Sequence, residues 1–93
     1  MINKKHKLYL IKWEDSYSSD NKWKSISGMT KPKRMVCVSV GWLIKETKNT
    51  ILIVPHITDI KNKNSSGTGL GEIVIPNSAI RERRELKIKK TNT

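Results

Sequence analysis

Between Met35 and Lys45 the chain reads MVCVSVGWLIK, and Val36, Val38, Val40, Trp42 and Ile44 alternate with Met35, Cys37, Ser39, Gly41 and Leu43. That two-residue period sends successive side chains to opposite faces of a strand. As the longest apolar run, it predicts the central strand of a sheet. The Val, Trp and Ile face is expected to be buried, and the Cys37, Ser39 and Gly41 face to leave room for close approach by another element. A strand of about eleven residues exceeds the usual ~5 to 6 and must bend to stay within a small fold. Gly41 is the expected bend or bulge.

The same period recurs upstream, where Leu8, Leu10 and Lys12 alternate with Tyr9, Ile11 and Trp13 before Glu14 and Asp15 end the run. Ser16 to Arg34 follows as a long polar connection, with Trp23 and Ile26 as its expected anchors or a short extra strand. Connections of that length in a compact domain are usually functional or disordered. After the central strand, Glu46–Thr50 reads as a polar turn and Ile51–Val54 as a strand stopped by Pro55, so the two runs form an antiparallel hairpin. Lys61–Gly71, KNKNSSGTGLG, reads as a flexible loop. Glu72–Ile75 is a short strand closed by Pro76. Asn77–Ile80 has room for a single helical turn. In Arg81–Ile88 a helix competes, because Ile80, Arg84 and Ile88 align at four-residue spacing, but so narrow an apolar stripe does not dock and a strand is the better reading.

These elements predict one all-β domain, a strongly bent five-stranded SH3-like or Sm-like barrel over residues 7–88 with one short helical turn. Residues 1–6 form a basic arm and residues 89–93 a tail. Ninety-three residues support a single modest core, so a homo-oligomer held by an apolar sheet face or a strand edge is expected.

Composition narrows the partner. Nineteen Lys and Arg against eight Asp and Glu give a formal net charge of +11, a field that attracts polyanions and anionic ligands. Part of the lysine content is an ordinary solvated surface. Arginine is more selective, because its planar fork matches phosphate bidentately. Its four copies lie at Arg34, beside Lys31 and Lys33, and at Arg81, Arg83 and Arg84. One cysteine builds no disulfide framework, which fits a reducing cytoplasmic setting. No run approaches the ~20 apolar residues of a membrane helix, and the start lacks the pattern of a signal peptide.

No catalytic set assembles from the sequence. His6 lies in the arm and His56 just after a strand, each without a partnered nucleophile and carboxylate, so His56 reads as a turn residue or ligand contact. Cys37, mid-strand with no neighbouring base, reads as a structural thiol. SSGTGLG lacks the Lys-Ser/Thr end of a P-loop and a following helix. No metal or cofactor is expected, and the chain reads as a non-enzyme. Trp42 reads as core. Trp13 and Trp23 flank the acidic, Ser-rich start of the long connection, and aromatic rings among lysines suit base stacking with phosphate neutralisation. Asp15, beside Glu14, can accept hydrogen bonds from a base or ribose. The candidate ligand-binding residues are Trp13, Asp15, Trp23, Lys33, Arg34, His56, Arg81, Arg83 and Arg84, with Trp23, Arg34 and the Arg81–Arg84 segment in one pocket across a subunit boundary.

Five pieces occur in order: WEDS at Trp13–Ser16, SVGWLIKET at Ser39–Thr47, the hydrophobic-Pro-His run Ile53–His56, IPNSAI at Ile75–Ile80 and a final Leu86. In these the chain resembles a group of small phage-encoded proteins over most of residues 8–88. The resemblance implies a protein of the host-cell cytoplasm that acts by binding host proteins, nucleic acid or nucleotide signals of host immunity. Three functions follow, in this order: sequestering a phosphate-bearing nucleotide signal to counter host defence, binding single-stranded RNA or DNA, and inhibiting a host protein.

Overall fold

The computed structural model describes residues 6–18, 21–58, 67–87 and 89. Most of the expected arm and tail, and residues 61–66 of the expected flexible loop, lie outside this set. Seven strands form: β1 Leu8–Asp15, β2 Met35–Glu46, β3 Thr50–Val54, β4 His56–Thr58, β5 Thr68–Leu70, β6 Ile73–Pro76 and β7 Ile80–Leu86. Two 3-10 turns, Ile26–Gly28 and Asn77–Ala79, are the only helical pieces among the described residues. Five strands make one antiparallel sheet in the order β6-β3-β2-β1-β7, and β4 and β5 pair separately. The mostly β fold, the β2–β3 hairpin, the single turn before the last strand and the extended Ile80–Leu86 follow the sequence pattern. The sheet's end strands, β6 and β7, are not hydrogen-bonded to each other.

The core is made of Ile11, Ile51, Ile53 and Ile75, with Tyr9, Trp13, Leu43, Ile73, Ala79 and Ile80 packed against it. Here the expected orientation of β2 is reversed. Val36, Val38 and Val40 are 50%, 58% and 47% exposed, while Gly41 is buried and Cys37 and Ser39 are half-buried. The reason lies in the register with β1, which sets Tyr9 opposite Gly41, Ile11 opposite Ser39 and Trp13 opposite Cys37. Large inward side chains on β1 take the volume, and small groups on β2 make room for them. The Trp13 indole N–H donates to Ser39 Oγ at 3.0 Å, so the inward hydroxyl and the ring nitrogen satisfy one another.

Gly41 is a close approach and not the bulge. A Cβ there would stand 3.0 Å from the Val54 carbonyl oxygen, and the register shift of β2 against β3 falls between Leu43 and Lys45. The extra residue at that shift bends the strand, as a bulge does. A second correction concerns Lys61–Gly71. Thr68–Leu70 of that stretch is strand β5, paired with His56–Thr58. Gly69 packs on Val54, which is buried although it lies next to Pro55 at the end of β3.

Candidate functional site

The long connection leaves β1 at Asp15 and re-enters the sheet at Met35, antiparallel to it; Asp15 and Met35 are register partners. Both ends of the connection therefore meet at one end of the sheet. There Glu14 accepts hydrogen bonds from Arg34 Nε at 2.6 Å and Arg81 Nε at 3.1 Å, and Arg34 Nη2 also contacts Glu14 Oε1. Arg81 Nη1 donates further to the Ser78 carbonyl at 2.8 Å. The Arg34 bond first, and then that of Arg81, hold the Glu14 carboxyl below the usual carboxylate range.

Beyond this clamp lies an open cleft of about 640 Å³, lined by Asp15, Tyr17, Lys22, Lys24, Lys31 and Lys33 with Met29 and Pro32. Lys22, Lys31 and Lys33 have no carboxylate partner among the described residues. Asp15 accepts a hydrogen bond from the Ser16 backbone N–H at 2.8 Å. Trp23 sits between two of the cleft lysines in sequence and is fully exposed, at 104%. It does not anchor the connection, and neither does Ile26, 85% exposed at the start of its 3-10 turn. A bare indole among cations is the arrangement that lets a base stack while its phosphate is neutralised.

The other residues singled out from the sequence are placed apart. Trp13 points inward, its ring packed on the core and its N–H committed to Ser39. Arg83 pairs with Glu46, Nη1 to Oε1 at 2.5 Å, and stands over the Tyr9 ring at 4.8 Å from its centroid. Arg84 lies 3.9 Å from Glu82. His56 is exposed on β4 and lines neither this cleft nor the apolar one beneath the β4–β5 pair. Of the candidates only Asp15 and Lys33 line the cleft; Trp23 and Arg34 are next to lining residues in sequence, Arg81 meets Arg34 at Glu14, and Trp13, His56, Arg83 and Arg84 lie elsewhere. Lys22, Lys24, Lys31 and Tyr17 were not singled out. Their signal is the run of lysines with Tyr17 and Trp23 across residues 17–33, from which only Trp23 and Lys33 enter the candidate set.

Every arginine has a carboxylate within 4 Å, whereas Lys22, Lys31 and Lys33 have none among the described residues. Among the described residues no group of three or more His, Cys, Asp or Glu side chains could hold a metal. Cys37 is a free, half-buried thiol. No helix of the described residues is long and apolar enough to cross a membrane. Compared with known proteins, the chain matches no family model, no curated protein and no solved structure.

Proposed function

We propose that this protein binds a phosphate-bearing nucleotide ligand without transforming it, and that a single-stranded nucleic acid is the form the geometry supports best. The observation that carries the reading is the open cleft with four lysines and Tyr17 on its walls, and exposed Trp23 between two of those lysines in sequence. Lysines act as point charges that tolerate any backbone path, whereas specific small-phosphate capture favours unoccupied arginine forks. Arg34, Arg81 and Arg83 are hydrogen-bonded to Glu14 or Glu46, and Arg84 lies 3.9 Å from Glu82. The strand order β6-β3-β2-β1-β7 with a 3-10 turn before the last strand supports an SH3-like or Sm-like small barrel, open between its end strands. In the phage setting that the motifs imply, the bound strand or nucleotide would come from the host.

A second reading rests on the size of the cleft. At about 640 Å³ it falls within the ~300 to 1,000 Å³ of small-molecule sites, so one compact nucleotide per protomer would fit. Fluorescence anisotropy with labelled oligonucleotides of increasing length, at several salt concentrations, separates the two. A single strand in the cleft gives affinity that rises with length and a log–log salt slope of roughly −2 to −3 for four lysines. A compact ligand gives one mononucleotide per site and a shallow slope. Absence of binding to oligonucleotides and mononucleotides alike would remove both readings and leave inhibition of a host protein.

A further inference from the structure

The sheet has an inner edge with no hydrogen-bonded strand among the described residues. β2 pairs with β1 along Met35–Trp42, but with β3 only from Trp42 to Glu46. Along Met35–Gly41 the second edge of the strand carries no hydrogen-bonded neighbour among the described residues. The Leu43 N–H donates to the Lys7 carbonyl on the β1 side. By the alternation of an antiparallel ladder, the backbone N–H and C=O groups of Val36, Val38 and Val40 then point to the open side. The other two free edges are blunted. β6 is four residues long and ends in Pro76, and β7 carries Arg81, Glu82, Arg83, Arg84 and Glu85. Short length, proline and charge are the ordinary defences of an edge strand, and Met35–Gly41 contains none of them.

We propose that a second copy of this chain occupies this edge, pairing β2 with β2 antiparallel about a twofold axis at Val38. The segment is self-complementary in that register. Val38 faces its own copy and Val36 faces the partner's Val40. The three half-exposed valines of each protomer then merge into one apolar stripe, and small Cys37 lies beside the partner's Ser39. Each valine pair exchanges two backbone bonds, so about six ladder hydrogen bonds form across the axis. No charge from residues 35–41 enters the contact, and the nearest lysine across the ladder, Lys12 opposite Val38, is paired with Glu82. A twofold contact closes on itself and leaves only the blunted end strands β6 and β7 as free edges of the sheet.

The test uses the full chain. Light scattering coupled to size exclusion should give twice the 10.7 kDa chain mass. Val38→Asp should give a single-chain mass with the far-ultraviolet circular dichroism unchanged, because Val38 is exposed in the protomer. In a Cys37→Ser background, Val38→Cys should cross-link to a covalent dimer on mild oxidation, since facing residues of a hydrogen-bonded pair lie about 5.5 Å apart at Cα, within disulfide reach. Lys48→Cys in the β2–β3 turn, in the same background, should not. A wild-type mass of one chain overturns the proposal. So does a Val38→Asp protein that stays dimeric, or a Val38→Cys variant that cross-links no better than the Lys48→Cys control.

Discussion

Arg83 on β7 reaches Glu46 on β2, Nη1 to Oε1 at 2.5 Å and Nη2 to Oε2 at 3.3 Å, although β1 lies between their strands. In register, the β2 residue level with Arg83 is Ser39, through Ile11. Glu46 stands seven residues further along, roughly 23 Å on an extended strand. The contact exists because β2 bends back over the sheet past its bulge, so the pair ties the last strand to the far end of the hairpin.

The Arg83 hydrogen bond holds the Glu46 carboxyl below its ordinary range. A carboxylate with a lowered folded-state pKa contributes stability above its unfolded value, ~4.3, and loses it as pH falls through the folded value. Thermal melts should therefore drop on acidification below about pH 4.3. Glu46→Gln should melt lower than wild type at neutral pH and approach it in acid. Parallel curves at every pH would show that the pair contributes nothing net.

Glu14 has the same sign of shift, from Arg34 and then Arg81, but a different consequence. Glu14→Gln leaves both guanidinium groups without their carboxylate and removes a negative charge beside the cleft. Hydrogen exchange in residues 21–34 should speed up, while oligonucleotide affinity rises at low salt. Unchanged exchange in that segment would show that the clamp does not tether it.

The orientation of β2 can be tested by contrast. Val38→Asp places a carboxylate on a side chain 58% exposed and should keep a cooperative melt. Ile75→Ala empties a site with no exposure in the protomer core and should cost about 2 to 5 kcal/mol in urea denaturation. The reverse ranking would mean that the valine face is the inner one.

Gly41→Ala should destabilise by about 1 to 3 kcal/mol, since the new methyl would stand 3.0 Å from the Val54 carbonyl and 3.2 Å from Ile53 Cβ. The backbone oxygen cannot turn aside as a flexible side chain can. A neutral effect in denaturant titration would mean that β2 and β3 separate there readily.

Trp23→Ala should weaken oligonucleotide binding by about 1 to 3 kcal/mol, which is ~5- to 150-fold, and leave the melting temperature alone. A fully exposed side chain has no packing to lose. A fall in stability without a change in affinity would give the indole a structural role.

Much of the fold was legible because strand alternation and turn residues are local. The periods of Leu8–Trp13 and Met35–Lys45, Pro55 after Val54, and Pro76 before a single turn mark the elements by backbone chemistry that each segment carries itself. The alternation of lysines with Tyr17 and Trp23 was likewise visible in the sequence of the connection. Which face of β2 lies inward was not local. Valines suit either face, and the choice was made by Tyr9, Ile11 and Trp13 across the ladder, whose bulk requires Gly41, Ser39 and Cys37 opposite. The arginines followed the same rule. As sequence they were four free forks; strand pairing of β1 with β2 and β7 brought Arg34 and Arg81 to Glu14, and the bend of β2 brought Glu46 to Arg83. Those pairs occupy Arg34, Arg81 and Arg83, while Lys22, Lys31 and Lys33 keep no carboxylate partner among the described residues.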